Sequence, residues 1–214
     1  MIGHNHRIAH ILAHMQPTLR FTPNRTTILS HHFSTCMMTQ QQQQKQPNIY
    51  QQLQVQVLEP IGEHRSTLIW MHGLGDSSAG FSSMFEQMAL KHTKVILPNA
   101  PMRPISVNGG YVMRGWYDIH SVGNNRLEQN EDRDGIQQST RWIHELLDHE
   151  FEQSKRVVCG GFSQGGAMTL ASALSYEKHA MEALIVASGY ALVGQTVLSD
   201  AWYKRVQDQV PIYI

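Results

Sequence analysis

Residues 53–58 alternate, with Leu53, Val55 and Val57 against Gln54, Gln56 and Leu58, which predicts a half-buried strand at a sheet edge. Residues 67–71, Thr-Leu-Ile-Trp-Met, are almost continuously apolar up to His72-Gly73, the pattern of a strand covered on both faces. Phe81, Met84, Phe85 and Met88 recur at helical spacing and predict a helix over residues 80–91. Another short strand runs over 94–97 and stops at Pro98, and a long irregular segment follows. Ile136, Thr140, Ile143, Leu147 and Phe151 then mark a second helix, with Asp134 placed to cap it. Val157 and Val158 open a strand running into Gly160-Gly161. A helix over 164–175, a strand over 183–187 and one more over 210–214 complete the pattern. Strands alternating with helices imply an α/β fold: a mostly parallel sheet in a three-layer α/β/α sandwich.

The first 47 residues carry no such pattern. No Asp or Glu precedes Glu59, whereas Arg7, Arg20, Arg25 and Lys45 give this stretch a charge of +4 within a chain of zero net charge. Six of the thirteen histidines (His4, His6, His10, His14, His31 and His32) also lie there, without ordered ligand spacing or acidic partners, so no metal site is expected. The composition fits either an unstructured extension or a mitochondrial transit peptide. Met37 or Met38 could start a shorter cytosolic product. A run from Gln40 to Gln44, then Lys45, Gln46 and Pro47, cannot bury enough apolar surface to order itself and reads as a linker. The expected organisation is a leader and linker over 1–47 and one α/β domain over 48–214.

Composition excludes several roles. Zero net charge argues against nucleic-acid binding through a basic surface. No run approaches the roughly 18 apolar residues of a bilayer-spanning helix. Cys36 and Cys159 supply neither a metal-ligand nor a disulfide framework, and Cys159, placed in a strand, reads as an inert buried thiol.

Gly161-Phe162-Ser163-Gln164-Gly165 is G-x-S-x-G, preceded by an apolar strand and followed by an apolar helix. That setting is what a nucleophile elbow requires: a sharp strand-to-helix turn that projects the Ser163 hydroxyl, with small residues where neighbouring backbone comes close. The helix N-terminus favours developing negative charge. His72-Gly73-Leu74-Gly75-Asp76 also follows a buried strand, and its glycines allow the backbone to approach a substrate carbonyl. The backbone N–H groups of Leu74 and Gln164 are the expected oxyanion donors. His72 is a poor candidate for the base, since it precedes the nucleophile and sits where the loop needs an anchor.

With Pro98-Asn99-Ala100-Pro101, Arg103-Pro104 and Trp116-Tyr117-Asp118 added to these two blocks, the chain resembles, from Leu53 to Ile214, the phospholipase/carboxylesterase family of α/β-hydrolases, and within it the acyl-protein thioesterases. The resemblance implies a serine hydrolase acting on S-acylated proteins or small acyl esters, cytoplasmic, with no metal and no organic cofactor. Trp116 and Asp118 either line the acyl pocket or brace the loop beside it. Met102, Met113 and Met168 suit an acyl-chain surface or core packing.

In that fold the triad runs Ser, then Asp or Glu, then His. The histidine following Ser163 is His179, about 15 Å away if the intervening helix has the usual rise. Asp200 and Asp208 come after it, in the wrong order. The family would place its acid and base beyond Ile214. The expectation is therefore an enzyme of this family whose chain, as given, lacks the acid and base. The alternative is an inactive fragment that binds acyl groups or a partner.

Overall fold

Successive residues of the central strands serve two different cores, and this organises the fold. The computed structural model describes residues 47–121, 131–154, 156–192 and 210–213. The leader, the glutamine run, Cys36, Asp200, Asp208 and Ile214 lie outside the described residues. Six strands, β1 (Gln56–Leu58), β2 (Ser66–Met71), β3 (Thr93–Leu97), β6 (Val157–Phe162), β7 (Ala183–Ala187) and β8 (Ile212–Tyr213), form one sheet in the order β1-β3-β2-β6-β7-β8. The β1–β3 pairing is antiparallel and every other pairing is parallel. Leu68 and Trp70 of β2, with Val95 and Leu97 of β3, pack under helix α2 (Ala79–Met88) through Phe85. Ile69 and Met71, with Ile96, Val157 and Cys159, face the opposite layer. That layer is built from α1 (Ile49–Gln52), α3 (Arg133–Gln153) and α4 (Gln164–Ser175), whose Ile136, Ile143, Leu147 and Met168 are fully buried. The three-layer sandwich follows from this period-2 division of apolar side chains.

Several boundaries differ from the sequence expectation, each for a local reason. Residues 49–52 are helical, not the lead-in to a strand. The Asn48 side chain accepts from the Gln51 N–H at 2.9 Å, and Gln51 Oε1 accepts from the Asn48 N–H at 3.3 Å. This reciprocal pair nucleates one turn. Leu53 closes it as a buried cap, and the edge strand shrinks to Gln56–Leu58. Helix α2 ends at Met88 because its cap, Ala89, adopts left-handed backbone with φ of 46°, and Met84 and Met88 are exposed instead of sharing the buried face of Phe85. Asp132, not Asp134, caps α3, accepting from the Gly135 N–H at 2.9 Å.

The segment expected to be irregular contains a hairpin, β4 (Met102–Ile105) and β5 (Tyr111–Arg114), which forms its own two-stranded sheet. Away from the strand ends that carry the loops, Lys94 meets Glu150 at 2.6 Å with almost no exposure. Tyr50 and Thr67 donate to the same carboxylate, and Lys94 also donates to Gln153 Oε1 at 2.9 Å. A buried charge is tolerated here because its oxygens are taken by donors.

Candidate active site

One residue joins β6 to α4. Ser163 has φ of 52° and ψ of −114°, a conformation costing a non-glycine residue about 1–3 kcal/mol. The surroundings over-determine it: the Ser163 N–H donates to the Ala187 carbonyl at 2.9 Å, and its own carbonyl accepts from Ala167 at 3.1 Å. The turn is also closed on itself. A Cβ on Gly161 would lie 2.4 Å from the Gly165 carbonyl oxygen, and one on Gly165 would lie 2.1 Å from that of Met71. The half-buried Ser163 sits at the C-terminal end of a parallel strand and at the electropositive start of a twelve-residue helix.

The loop after β2 abuts this turn. A Cβ on Gly73 would come 3.5 Å from the Ser163 Cβ. His72 is buried and both ring nitrogens are committed: Nδ1 donates to the Gly73 carbonyl at 2.7 Å, and Nε2 accepts from the Ala100 N–H at 3.0 Å. Burial holds its pKa below the ordinary histidine value, despite the Gly73 bond and nearby Asp76. His72 is thus a neutral strut for the loop. Gly75 takes φ of 77° and donates to the Arg114 carbonyl at 2.8 Å, tying the loop to β5. Between these anchors, the Leu74 N–H has no acceptor among the described residues. Gln164 is the first residue of α4, where backbone N–H groups lack intrahelical partners.

Trp116 and Asp118 brace the segment after the hairpin. Trp116 is fully buried; its indole N–H donates to the His72 carbonyl at 2.9 Å and its own carbonyl accepts from Ser139 Oγ. Asp118 accepts from the Ser106 N–H at 2.7 Å and the Ser106 hydroxyl at 2.5 Å. Partial burial opposes ionisation, yet the Ser106 bonds hold the Asp118 carboxyl below its usual range. Asp132 accepts from the Asp118 N–H at 2.8 Å and from Arg103 of β4 at 3.2 Å, so one carboxylate joins the helix cap to the hairpin. Met168 belongs to the core, whereas Met102 and Met113 lie on the hairpin, exposed and half-buried respectively.

Sequence reasoning overlooked two side chains. Asn99 accepts from the Ser78 N–H and donates to the Gln54 carbonyl, both at 2.8 Å, pinning the start of α2 to the chain after α1. Asn99 lies inside the Pro98 to Pro101 block, whose sequence does not reveal these partners. The buried Gln164 side chain accepts from the Trp116 N–H at 3.0 Å and donates to the Tyr117 carbonyl at 2.8 Å. No local signal marks such a long-range bond.

No described histidine hydrogen-bonds Ser163. His179 packs its ring on Phe151 with centroids 4.7 Å apart, and His144 contacts the Ser172 carbonyl at 2.8 Å. Among the described residues, no three His, Cys, Asp or Glu side chains cluster as a metal site would require.

The sequence pattern of the phospholipase/carboxylesterase family matches residues 53–212. Acyl-protein thioesterase 1 of Neurospora crassa is 41% identical over 163 residues, covering 72% of this chain and 66% of that protein. Acyl-protein thioesterase 1 of Schizosaccharomyces pombe is 37% identical over 162 residues, covering 74% of this chain and 70% of that protein. The chain therefore spans about two thirds of the length of these relatives. The crystal structure of Zea mays acyl-protein thioesterase 2 aligns with a TM-score of 0.63 at 28% identity, over 74% of this chain and 73% of that one. An elbow serine, its adjoining loop and a sequence match across most of the chain together place this protein in the phospholipase/carboxylesterase family of α/β-hydrolases.

Proposed function

We propose that the protein is a serine hydrolase that cleaves fatty-acyl thioesters or esters, S-acylated proteins among them, through an acyl intermediate on Ser163. The strained backbone of Ser163 at the β6–α4 turn carries this reading. Ser163 Oγ adds to the acyl carbonyl, and the new oxyanion is received by the N–H groups of Leu74 and Gln164. The carbon–sulfur or carbon–oxygen bond breaks, and the leaving thiol or alcohol departs with the serine's proton. Water then cleaves the acyl-serine, releasing the fatty acid. Each oxyanion donor supplies on the order of 10²–10³ in rate.

The base this scheme requires is not among the described residues. Without one, Ser163 remains a weak nucleophile near pH 7. A triad lacking its base retains roughly 10³–10⁴ over the uncatalysed reaction, from binding and the oxyanion site. The second reading, a chain that binds acyl groups without turnover, rests on that observation. Incubating the 214-residue protein with an S-palmitoyl peptide and with an alkyl fluorophosphonate separates the two. Ser163-dependent hydrolysis and labelling, both lost in Ser163→Ala, support the hydrolase. Acyl binding with neither reaction supports the binder.

No described helix is long and apolar enough to cross a membrane. We take a cytoplasmic location as the working reading and a mitochondrial one as its alternative. A fluorescent fusion with and without residues 1–36 tests it, because loss of mitochondrial signal on deletion would establish the alternative.

A further inference from the structure

We infer that the side chain of Gln164 is a positioning residue: it sets the spacing between the two oxyanion donors, one of which is its own backbone N–H. The inference rests on the reading of Ser163 as the nucleophile. The primary amide of Gln164 pairs with the backbone of two consecutive residues, taking the Trp116 N–H at 3.0 Å on Oε1 and giving its own N–H to the Tyr117 carbonyl at 2.8 Å. From Trp116 the connection continues through the indole N–H to the His72 carbonyl at 2.9 Å. His72 carries Gly73 and Leu74 and is locked by its ring bonds to Gly73 and Ala100. The same carbonyl is where α4 docks, since a Cβ on Gly165 would lie 2.6 Å from it. The elbow helix and the Leu74 loop thus meet directly through packing and a second time through the Gln164 amide.

The chemistry of this junction selects glutamine. It needs one acceptor and one donor on a planar group, at a reach that asparagine misses by one methylene. Glutamate would keep the bond from Trp116, lose the donation to Tyr117 and place a carboxylate in a buried site. Methionine keeps the length and removes both bonds. Two oxyanion donors act together when both point to one oxygen, and a misplacement of about 1 Å costs up to 10²-fold in rate.

The test measures hydrolysis of a 4-nitrophenyl acyl ester by the 214-residue protein and its Gln164→Glu, Gln164→Met and Gln164→Asn variants. It also measures inhibition by an alkyl trifluoromethyl ketone, which forms a tetrahedral adduct. A positioning role predicts that kcat and ketone affinity fall together, by about 10- to 100-fold in Gln164→Met, while KM stays within twofold. Gln164→Asn, whose amide falls one methylene short of both partners, should lose as much as Gln164→Met. In parallel, amide NMR should show the Leu74 N–H shifted in Gln164→Met, and the Trp116 N–H, which loses its acceptor, exchanging at least tenfold faster. That readout needs no turnover, so an unsubstituted protein without Ser163-dependent hydrolysis would remove the hydrolase reading while the Leu74 signal still judges the clamp. An unchanged kcat, or an unchanged Leu74 amide where there is no turnover, would overturn the inference. So would three variants that all fail to fold, because Gln164 would then be a folding residue.

Discussion

Trp116 and His72, 44 residues apart, are joined by an indole N–H donated to a main-chain carbonyl at 2.9 Å. The bond lies under the Leu74 loop, and neither group reaches water. Trp116→Phe retains an aromatic ring but strands the carbonyl and leaves space beside it. The expected loss is about 2–4 kcal/mol, combining an unsatisfied buried acceptor with a partial cavity. Urea denaturation measures it; a loss under 0.5 kcal/mol would show that the loop has another anchor.

The elbow tolerates no side chain at Gly165. A methyl group there would meet the carbonyl oxygens of Met71 and His72 at 2.1 Å and 2.6 Å, and both belong to backbone that cannot rotate aside. Gly165→Ala should therefore cost more than about 4 kcal/mol or give no folded protein. A soluble Gly165→Ala protein with unchanged unfolding would contradict the tight turn.

Acid should destabilise the fold before its carboxylates titrate. Burial lowers the pKa of both His72 and His144 from the ordinary 6.5. The unfolded chain then binds more protons than the folded one at pH values between the lowered pKa and 6.5. Stability is full above about pH 6.5 and declines as the pH falls toward the folded-state pKa. Burial is the largest single influence on Asp148 and opposes its ionisation, yet Lys178 and Tyr176 together hold its carboxyl below the usual range, so it adds its loss only at lower pH. Melting temperatures at pH 7.5, 6.5 and 5.5 should fall in that order. The decline should flatten in His144→Gln; an identical slope there would assign the effect to other groups.

How far the sequence foretold these features depends on whether the cause is local. The buried strand at residues 66–71 and the helix at 164–175 were legible because apolar periodicity and glycine punctuation are written into the segment itself. The turn at Asn48 to Gln51 also had a local signal, a reciprocal cap, but Leu53, Val55 and Val57 imitate a strand and concealed it. The apolar spacing of residues 136–151 points to Asp134 as the cap. Asp132 prevails in a setting where Arg103 and the Asp118 N–H converge on it from the hairpin region. The Gln164 clamp had no signal at all, because its partners are 47 and 48 residues distant.

Glu150 accepts from Lys94, Tyr50 and Thr67 while its side chain is fully buried. Removing either charge alone should cost about 3–5 kcal/mol, because the partner stays buried without compensation. Lys94→Met and Glu150→Ala should show this by urea denaturation. Glu150→Gln, which keeps an acceptor, should lose less than Glu150→Ala, and a Glu150→Gln protein as stable as the unsubstituted one would mean the charge itself is dispensable.

Cys159 should be silent toward thiol reagents. Full burial pushes its pKa up to about 12, leaving almost no thiolate at neutral pH. In a Cys36→Ser background, iodoacetamide should modify the protein only after denaturant is added. Rapid modification of the folded form would show that the strand opens.

Among the described residues, the β4–β5 hairpin shares no ladder with the main sheet. It is attached at Asp132, at the Gly75 to Arg114 bond and through the Trp116 segment. Its outward residues, Met102, Tyr111 and Val112, are exposed. A ladder fixes every residue of a strand in register, so changing one part disturbs the rest. A piece held at a few points can instead gain, lose or exchange residues at its tip while its roots stay fixed. In this protein the frame around Ser163 and the hairpin rim can therefore be altered independently of one another.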